Sequence, residues 1–166
     1  MTKLLGLMAV GYRTQAIGII GREVMAPRGL IGLGEDTLDY AQVEIGQVLA
    51  VLAEPGNYPV LVHCTQGKDR TGLVVLLVLM LLGVGMEAMR ADYVASEREL
   101  VGEYEDRMKE IEAIGLGKEF AGCPEGFVEA IKEYVNGKYG GVEKYLEVCG
   151  VDGGMRERIR DKMLVR

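Results

Sequence analysis

One segment of ten residues, 63–72, combines residue types that could carry out nucleophilic chemistry on a phosphate. It reads His-Cys-Thr-Gln-Gly-Lys-Asp-Arg-Thr-Gly, with Cys64 and Arg70 six positions apart, between the apolar runs 59–62 and 73–82. A strand, turn and helix in this order would set the thiol at a helix N-terminus, where loop amides and the helix dipole attract an anion. Beside an arginine, such a thiol can have its pKa lowered from about 8.5 to about 3.5–7.5. We therefore predict a Cys64 thiolate facing a phosphate-binding loop.

The chemistry predicted for this loop is a two-step displacement at phosphorus. Cys64 would attack in line and form a phosphocysteine, which divides one difficult displacement into two easier ones. Arg70 presents a planar fork of donors that fits two phosphoryl oxygens, which a lysine cannot match. The Thr71 hydroxyl would donate to the Cys64 sulfur when the thiolate leaves, and backbone amides would supply the remaining donors. The predicted phosphate-binding set is Thr65, Gln66, Gly67, Lys68, Asp69, Arg70 and Thr71.

These residues resemble the His-Cys-x-x-Gly-Lys-x-Arg-Thr-Gly loop of the cysteine-dependent protein tyrosine phosphatase superfamily, and most of all its family 3, the bacterial and fungal IphP-like group. Residues 91–96 (Ala-Asp-Tyr-Val-Ala-Ser) and 139–146 (Tyr-Gly-Gly-Val-Glu-Lys-Tyr-Leu) resemble later elements of that family. The likeness covers residues 28–166. It implies a phosphomonoester hydrolase that acts on phosphotyrosine, phosphoserine or phosphothreonine, or phosphoinositides, with neither a metal nor an organic cofactor.

The expected fold is an α/β single domain over residues 1–166, with a small parallel sheet surrounded by helices and a helical C-terminal part. One strand is predicted at 58–63 and a glycine-rich loop at 29–34. Helices are expected at 38–52, 73–82, 86–95, 98–115, 124–136, 141–148 and 152–164. Family members usually begin with an Asn-Phe-Arg-Asp segment, a Gly-Gly and an Arg-Ser, which residues 1–62 lack. Part of the sheet is therefore expected to be absent, or to be supplied by a strand at 4–10.

The general acid that would protonate the leaving oxygen has more than one candidate. Asp36 and Asp39 precede Cys64 by 28 and 25 residues (64 − 36 and 64 − 39), a separation compatible with one helix and one strand. Both also occupy positions where a helix N-terminus favours acidic caps. We keep Asp36 as a candidate acid. Asp69 is the second candidate, because it lies inside the loop beside Arg70, where it would otherwise orient a neighbouring cation.

Lys68 allows two interpretations. It would place a positive charge at the rim of the site, as in phosphatases that handle phosphoinositide head groups, or it would be a solvated lysine that offsets the neighbouring Asp69. A single point charge does not decide between them, and both stay open at this stage.

The composition excludes several classes of protein. A net charge of −6 argues against a nucleic-acid partner. Three cysteines (64, 123 and 149) without a Cys-x-x-Cys pair argue against a disulfide framework, and a single histidine argues against a zinc site. We expect Cys123 and Cys149 to be structural, although a thiol that protects oxidised Cys64 stays open.

Neither a membrane span nor an export signal is predicted. The apolar run 73–82 is ten residues long, half of the ~20 needed to span a bilayer. The start of the chain resembles a short signal peptide, but Arg13 and Arg22 interrupt its apolar character and no small-residue cleavage site follows. We therefore expect a cytoplasmic protein.

Two other function classes remain as alternatives. The loop could capture phosphorylated ligands without catalysis, as a pseudophosphatase module. A sulfur-transfer or arsenate-reducing enzyme would need a second redox cysteine close to Cys64, and the sequence shows none there. The physiological substrate and the oligomeric state stay open.

Overall fold

The computed structural model describes residues 12–164, which form helices joined by short turns and loops. The α-helices, in chain order, are α1 (Arg13–Ile20), α2 (Ala26–Tyr40), α3 (Gln42–Ala53), α4 (Asp69–Leu81), α5 (Met86–Glu99), α6 (Tyr104–Ala113), α7 (Phe127–Tyr134), α8 (Val142–Val148) and α9 (Gly153–Met163). The π-helical turns are Gly21–Met25 and Val135–Tyr139, and the 3-10 turns are Pro55–Asn57, Val101–Glu103 and Lys118–Phe120.

Helix α4 is the central element of the main hydrophobic core. Its side chains Leu73, Leu77 and Leu81 are buried, because helices α2, α3, α5 and α8 all pack around it. A helix that is apolar on nearly every side needs such an enclosed position. Since α4 begins at Asp69, inside the loop, the core holds the N-terminal end of this helix in place.

A second hydrophobic cluster lies apart from the main core. Its buried members are Ile111, Leu116, Phe120 and Ala121, with Met25, Leu30, Leu33, Met108 and Ile114 packed against them. It joins the C-terminal half of α6 and the turn at 118–120 to the beginning of α2. Side chains of this second cluster lie next to the loop, where they line the same cavity as the loop residues.

The predicted parallel sheet is wrong for the described residues, among which no strand occurs. Residues 58–64 alternate strictly between half-buried and exposed positions, as a strand would, and Leu61 is 85 % exposed. A strand requires a hydrogen-bonded neighbour, and no other part of the chain between residues 12 and 164 runs alongside this segment as a strand. The strand proposed for residues 4–10 lies outside the described residues.

The boundaries of several other elements differ from those predicted from the sequence. The expected glycine-rich loop at 29–34 is part of α2, whose single non-helical residue is Gly29, at φ 63°. Residues 38–52 are divided between two helices at Ala41, and the helix expected at 98–115 is three separate elements. The helical C-terminal part is confirmed. In residues 12–164 no helix combines the length and apolarity required to cross a membrane.

Candidate active site

The loop between the extended segment and α4 curls into a tight turn around the Cys64 sulfur. Gly67 has φ 66°, a left-handed conformation that side chains with a Cβ rarely adopt. The turn closes on α4 through the Gly72 amide, which donates to the Lys68 carbonyl at 2.6 Å. The local sequence therefore produces the predicted loop at the N-terminus of α4.

The Cys64 thiol has a pKa lowered to about 7 from its usual value. Partial burial raises this pKa, but the Thr71 hydroxyl and the amides of Thr71, Gln66 and Lys68 stabilise the thiolate and outweigh the burial. The Thr71 hydroxyl is thus one of the groups that lower the pKa of the Cys64 thiol, although among the described residues its buried Oγ1 has no hydrogen-bond partner of full geometry.

This lowered pKa makes the reactivity of Cys64 dependent on pH around neutrality. In a Cys123→Ala, Cys149→Ala background, we expect the alkylation rate with iodoacetamide to rise through a midpoint at about pH 7, because the thiolate is the reacting form. Removing the hydroxyl in Thr71→Val should move this midpoint to higher pH. A midpoint at the ordinary thiol value in both proteins would contradict the hydrogen-bonded thiolate.

The Arg70 side chain lies at the mouth of the loop, next to Thr65. Its Nη2 donates to the Thr65 hydroxyl at 2.8 Å, and its side chain is otherwise exposed. This bond holds the guanidinium over the loop while its other N–H groups remain available. The Thr65 hydroxyl thus helps to fix the orientation of the Arg70 guanidinium beside the loop.

Lys68 lies in neither of the two positions that the sequence suggested. It is 1 % exposed, and its Nζ donates to the carbonyls of Phe120 at 3.2 Å and Gly122 at 2.5 Å. Its third contact is the Asp69 carboxylate at 3.4 Å. The predicted positions at the rim and in solvent are both wrong, because the turn at 118–122 offers carbonyls that bury the ammonium group, whereas the expected pairing of Lys68 with Asp69 is present.

Asp69 faces the same cavity as Cys64 and Arg70. Burial raises the pKa of its carboxyl group, and the Lys68 ammonium acts in the opposite direction. The Tyr93 hydroxyl donates to Asp69 Oδ1 at 3.4 Å, and the Tyr93 ring is stacked on Phe127 with the centroids 4.6 Å apart. The sequence did not predict this contact, since Tyr93 is 24 residues away along the chain.

Asp36 and Asp39 do not cap a helix, because both lie in the C-terminal half of α2. Asp36 lines the cavity near the loop, but Arg28 donates to its two oxygens at 2.7 and 2.8 Å. Asp39 accepts hydrogen bonds from Tyr134, Lys138 and Tyr139. Asp69 is thus the aspartate that lies in the loop, and burial raises its pKa.

A cavity of about 640 Å³ opens directly above the loop. One part of its lining comes from the loop, through Cys64, Thr65, Gln66, Asp69 and Arg70. Another part comes from the second hydrophobic cluster, through Met25, Leu30, Leu33, Ile111, Ile114, Leu116 and Phe120. The sequence predicted a helix at 98–115, but nothing local showed that Ile111 and Ile114 would border the cavity above the loop.

Comparison with known proteins agrees with this geometry. A family model described as "Tyrosine phosphatase family" matches residues 23–165. The chain is 29 % identical over 144 residues to a triple specificity protein phosphatase, PtpB, of Mycobacterium tuberculosis, covering 77 % of this chain and 51 % of that protein. It is 31 % identical over 155 residues to a tyrosine-protein phosphatase of Nostoc commune, covering 82 % of this chain and 52 % of the relative.

A shorter match joins the chain to an inositol diphosphatase, DSP1, of Oryza sativa, with 40 % identity over 47 residues, which is 28 % of this chain and 21 % of that protein. The chain spans about half the length of the first two relatives. Because the family model covers nearly the whole chain, including the complete loop around Cys64 and Arg70, this chain belongs to the tyrosine phosphatase family.

Proposed function

We propose that this chain hydrolyses phosphomonoesters as a cysteine-dependent phosphatase, with phosphotyrosine as a substrate. The observation that carries the proposal is the Cys64 thiol, whose pKa is lowered to about 7 inside a loop of inward-facing amides. Such a loop holds a phosphoryl group by charge and hydrogen bonds and presents a thiolate to it. The relatives named tyrosine-protein and triple specificity phosphatase support the same reaction.

In the first step, the Cys64 sulfur attacks phosphorus, an S–P bond forms and the ester P–O bond breaks. Arg70 and the loop amides hold the equatorial oxygens, where the transition-state charge is spread. The leaving oxygen takes a proton from Asp69, which is the acid we propose because its pKa is raised and it borders the cavity beside Cys64. The first step therefore releases the alcohol or phenol and leaves a phosphocysteine.

In the second step, the Asp69 carboxylate takes a proton from water as the water oxygen attacks phosphorus. The S–P bond breaks and inorganic phosphate is released. The Thr71 hydroxyl stabilises the departing Cys64 thiolate, with which it already interacts in the unliganded site. Asp69 ends the cycle protonated and Cys64 ends it as a thiolate, so no further reactant is needed. A mechanism that depends on a free thiol suits a reducing compartment such as the cytoplasm.

The proposal is tested with p-nitrophenyl phosphate, wild-type protein and the Cys64→Ser variant. We expect vanadate-sensitive turnover by the wild type and none above background by the variant, because a serine hydroxyl is not ionised at neutral pH and the nucleophile is lost. Binding of inorganic vanadate should survive in the variant, since Arg70 and the loop amides remain. If both proteins show only background turnover but still bind vanadate, the proposed hydrolysis is wrong and the chain is a phosphate-binding module.

A further inference from the structure

The cavity above the loop has an apolar wall in addition to the loop residues that line it. Seven of its lining residues belong to the second hydrophobic cluster. This wall is linked to the loop, because the Lys68 ammonium donates hydrogen bonds to the carbonyls of Phe120 and Gly122. The apolar wall and the phosphate-binding loop therefore form one structural unit. An ester bound through its phosphate at Cys64 would extend its organic group along this wall.

The charges that line this cavity do not suit a polyanion. Arg70 is the one cationic residue among the described lining residues, and Asp36 and Asp69 are acidic. Lys68, which would have been the second cation, is buried beneath the loop with its ammonium on carbonyl groups. Arg28 does not line the cavity and is paired with Asp36. A second phosphate on a ligand would lie against apolar side chains, with no further cation among the described lining residues to neutralise it.

We infer, on the basis of the proposed function, that this cavity selects phosphomonoesters whose alcohol or phenol carries an extended apolar group, and that it discriminates against multiply phosphorylated head groups. The selectivity comes from two features. The apolar wall removes hydrophobic surface of the ligand from water, and the single cation satisfies one phosphate only. A volume of about 640 Å³ accommodates a group considerably larger than one phenyl ring.

A series of 4-alkylphenyl phosphates, from methyl to butyl, tests this inference. The alkyl group changes the buried area while the phenol remains nearly the same leaving group, so the chemical step is held constant. We expect kcat/KM to rise about fourfold per methylene until the wall is covered. An ester of equal length whose chain ends in a carboxylate should lose this gain, because a charged group placed against the apolar wall loses its hydration without gaining a partner.

Affinity measured by calorimetry with the Cys64→Ser variant separates this inference from the proposed function. A rise in affinity along the alkyl series supports the apolar site even if the wild type turns over none of the esters, in which case only the proposed reaction fails. The inference is wrong if affinity does not change along the alkyl series, or if inositol 1,4,5-trisphosphate binds more tightly than the butyl ester. Neither result would contradict the proposed phosphatase reaction.

Two matched variants test whether the alkyl group binds against the apolar wall. Ile114→Gln places an amide in the wall and should reduce the increment per methylene by at least half. Val51→Gln makes the same kind of change at an exposed position on α3, 46 % exposed and outside the cavity, and should leave the increment unchanged. Equal increments in the two variants would place the alkyl groups elsewhere and contradict the inference.

Discussion

Asp69→Asn is expected to slow the hydrolysis of phenyl phosphate about 100-fold, the lower end of the range for a general acid. The asparagine cannot deliver a proton to the leaving phenolate. The loss on p-nitrophenyl phosphate should be less than about 10-fold, because nitrophenolate leaves as a stable anion and depends less on the acid. The values of kcat/KM for the two esters measure this difference, because kcat/KM reports the first step and excludes the hydrolysis of the phosphocysteine, in which Asp69 also acts.

Asp36→Asn is the matched control, since Asp36 lines the same cavity but has its carboxylate bound by Arg28. We expect it to change both rates by no more than about twofold, and equally. A loss that depends on the leaving group in Asp36→Asn but not in Asp69→Asn would reverse the assignment of the acid.

The pH dependence of kcat/KM gives a second test of Asp69 as the general acid. Activity should fall as the pH decreases through about 7, because Cys64 becomes protonated. It should also fall as the pH rises through the raised pKa of Asp69, because the carboxyl group then loses the proton it must donate. In Asp69→Asn the second fall should disappear, whereas the first should remain.

Lys68→Met is expected to lower the free energy of unfolding by about 3 kcal/mol, the smaller end of the effect of breaking a buried ion pair. The side chain of Lys68 is fully buried, whereas that of Asp69 is 33 % exposed and so retains part of its hydration. Methionine fills a similar volume but leaves the carbonyls of Phe120 and Gly122 without their donor. Urea denaturation of the two proteins measures the difference.

Lys109→Met is the control for this substitution, because Lys109 forms a solvent-exposed ion pair with Asp106. An exposed pair contributes about 0–1 kcal/mol, so little change is expected. Lys68→Met should also move the fall in activity that depends on Asp69 to higher pH, because the Lys68 ammonium lowers the pKa of Asp69. Equal stability of the two variants would mean that Lys68 does not hold the turn at 118–122 to the loop.

Much of the site could be predicted because its chemistry is local. Cys64, Gly67 and Arg70 lie within seven consecutive residues, and the turn that brings them together depends on their own backbone conformations and on the helix that follows. The apolar run 73–82 predicted a buried helix, and α4 is that helix. The family resemblance followed from these same residues, and the match over residues 23–165 confirmed it.

The sheet could not be predicted in the same way. Residues 58–63 contain the apolar run that predicted a strand, and in the structure these residues alternate between half-buried and exposed positions. Whether an extended segment becomes a strand depends on a partner elsewhere in the chain, about which its own pattern contains no information. Within residues 12–164 the helices supply no such partner, so the segment remains a single extended connection.

The sequence by itself thus determined the loop that holds Cys64 and Arg70 and the helix that supports it, because each depends on neighbours a few positions away. The tertiary structure alone decided what surrounds them. It buried Lys68 against carbonyls 52 and 54 residues away, and it raised the pKa of Asp69 through burial. It also paired Asp36 with Arg28 and brought the second hydrophobic cluster over the loop. These properties arise from contacts and desolvation between distant segments, which local periodicity does not encode.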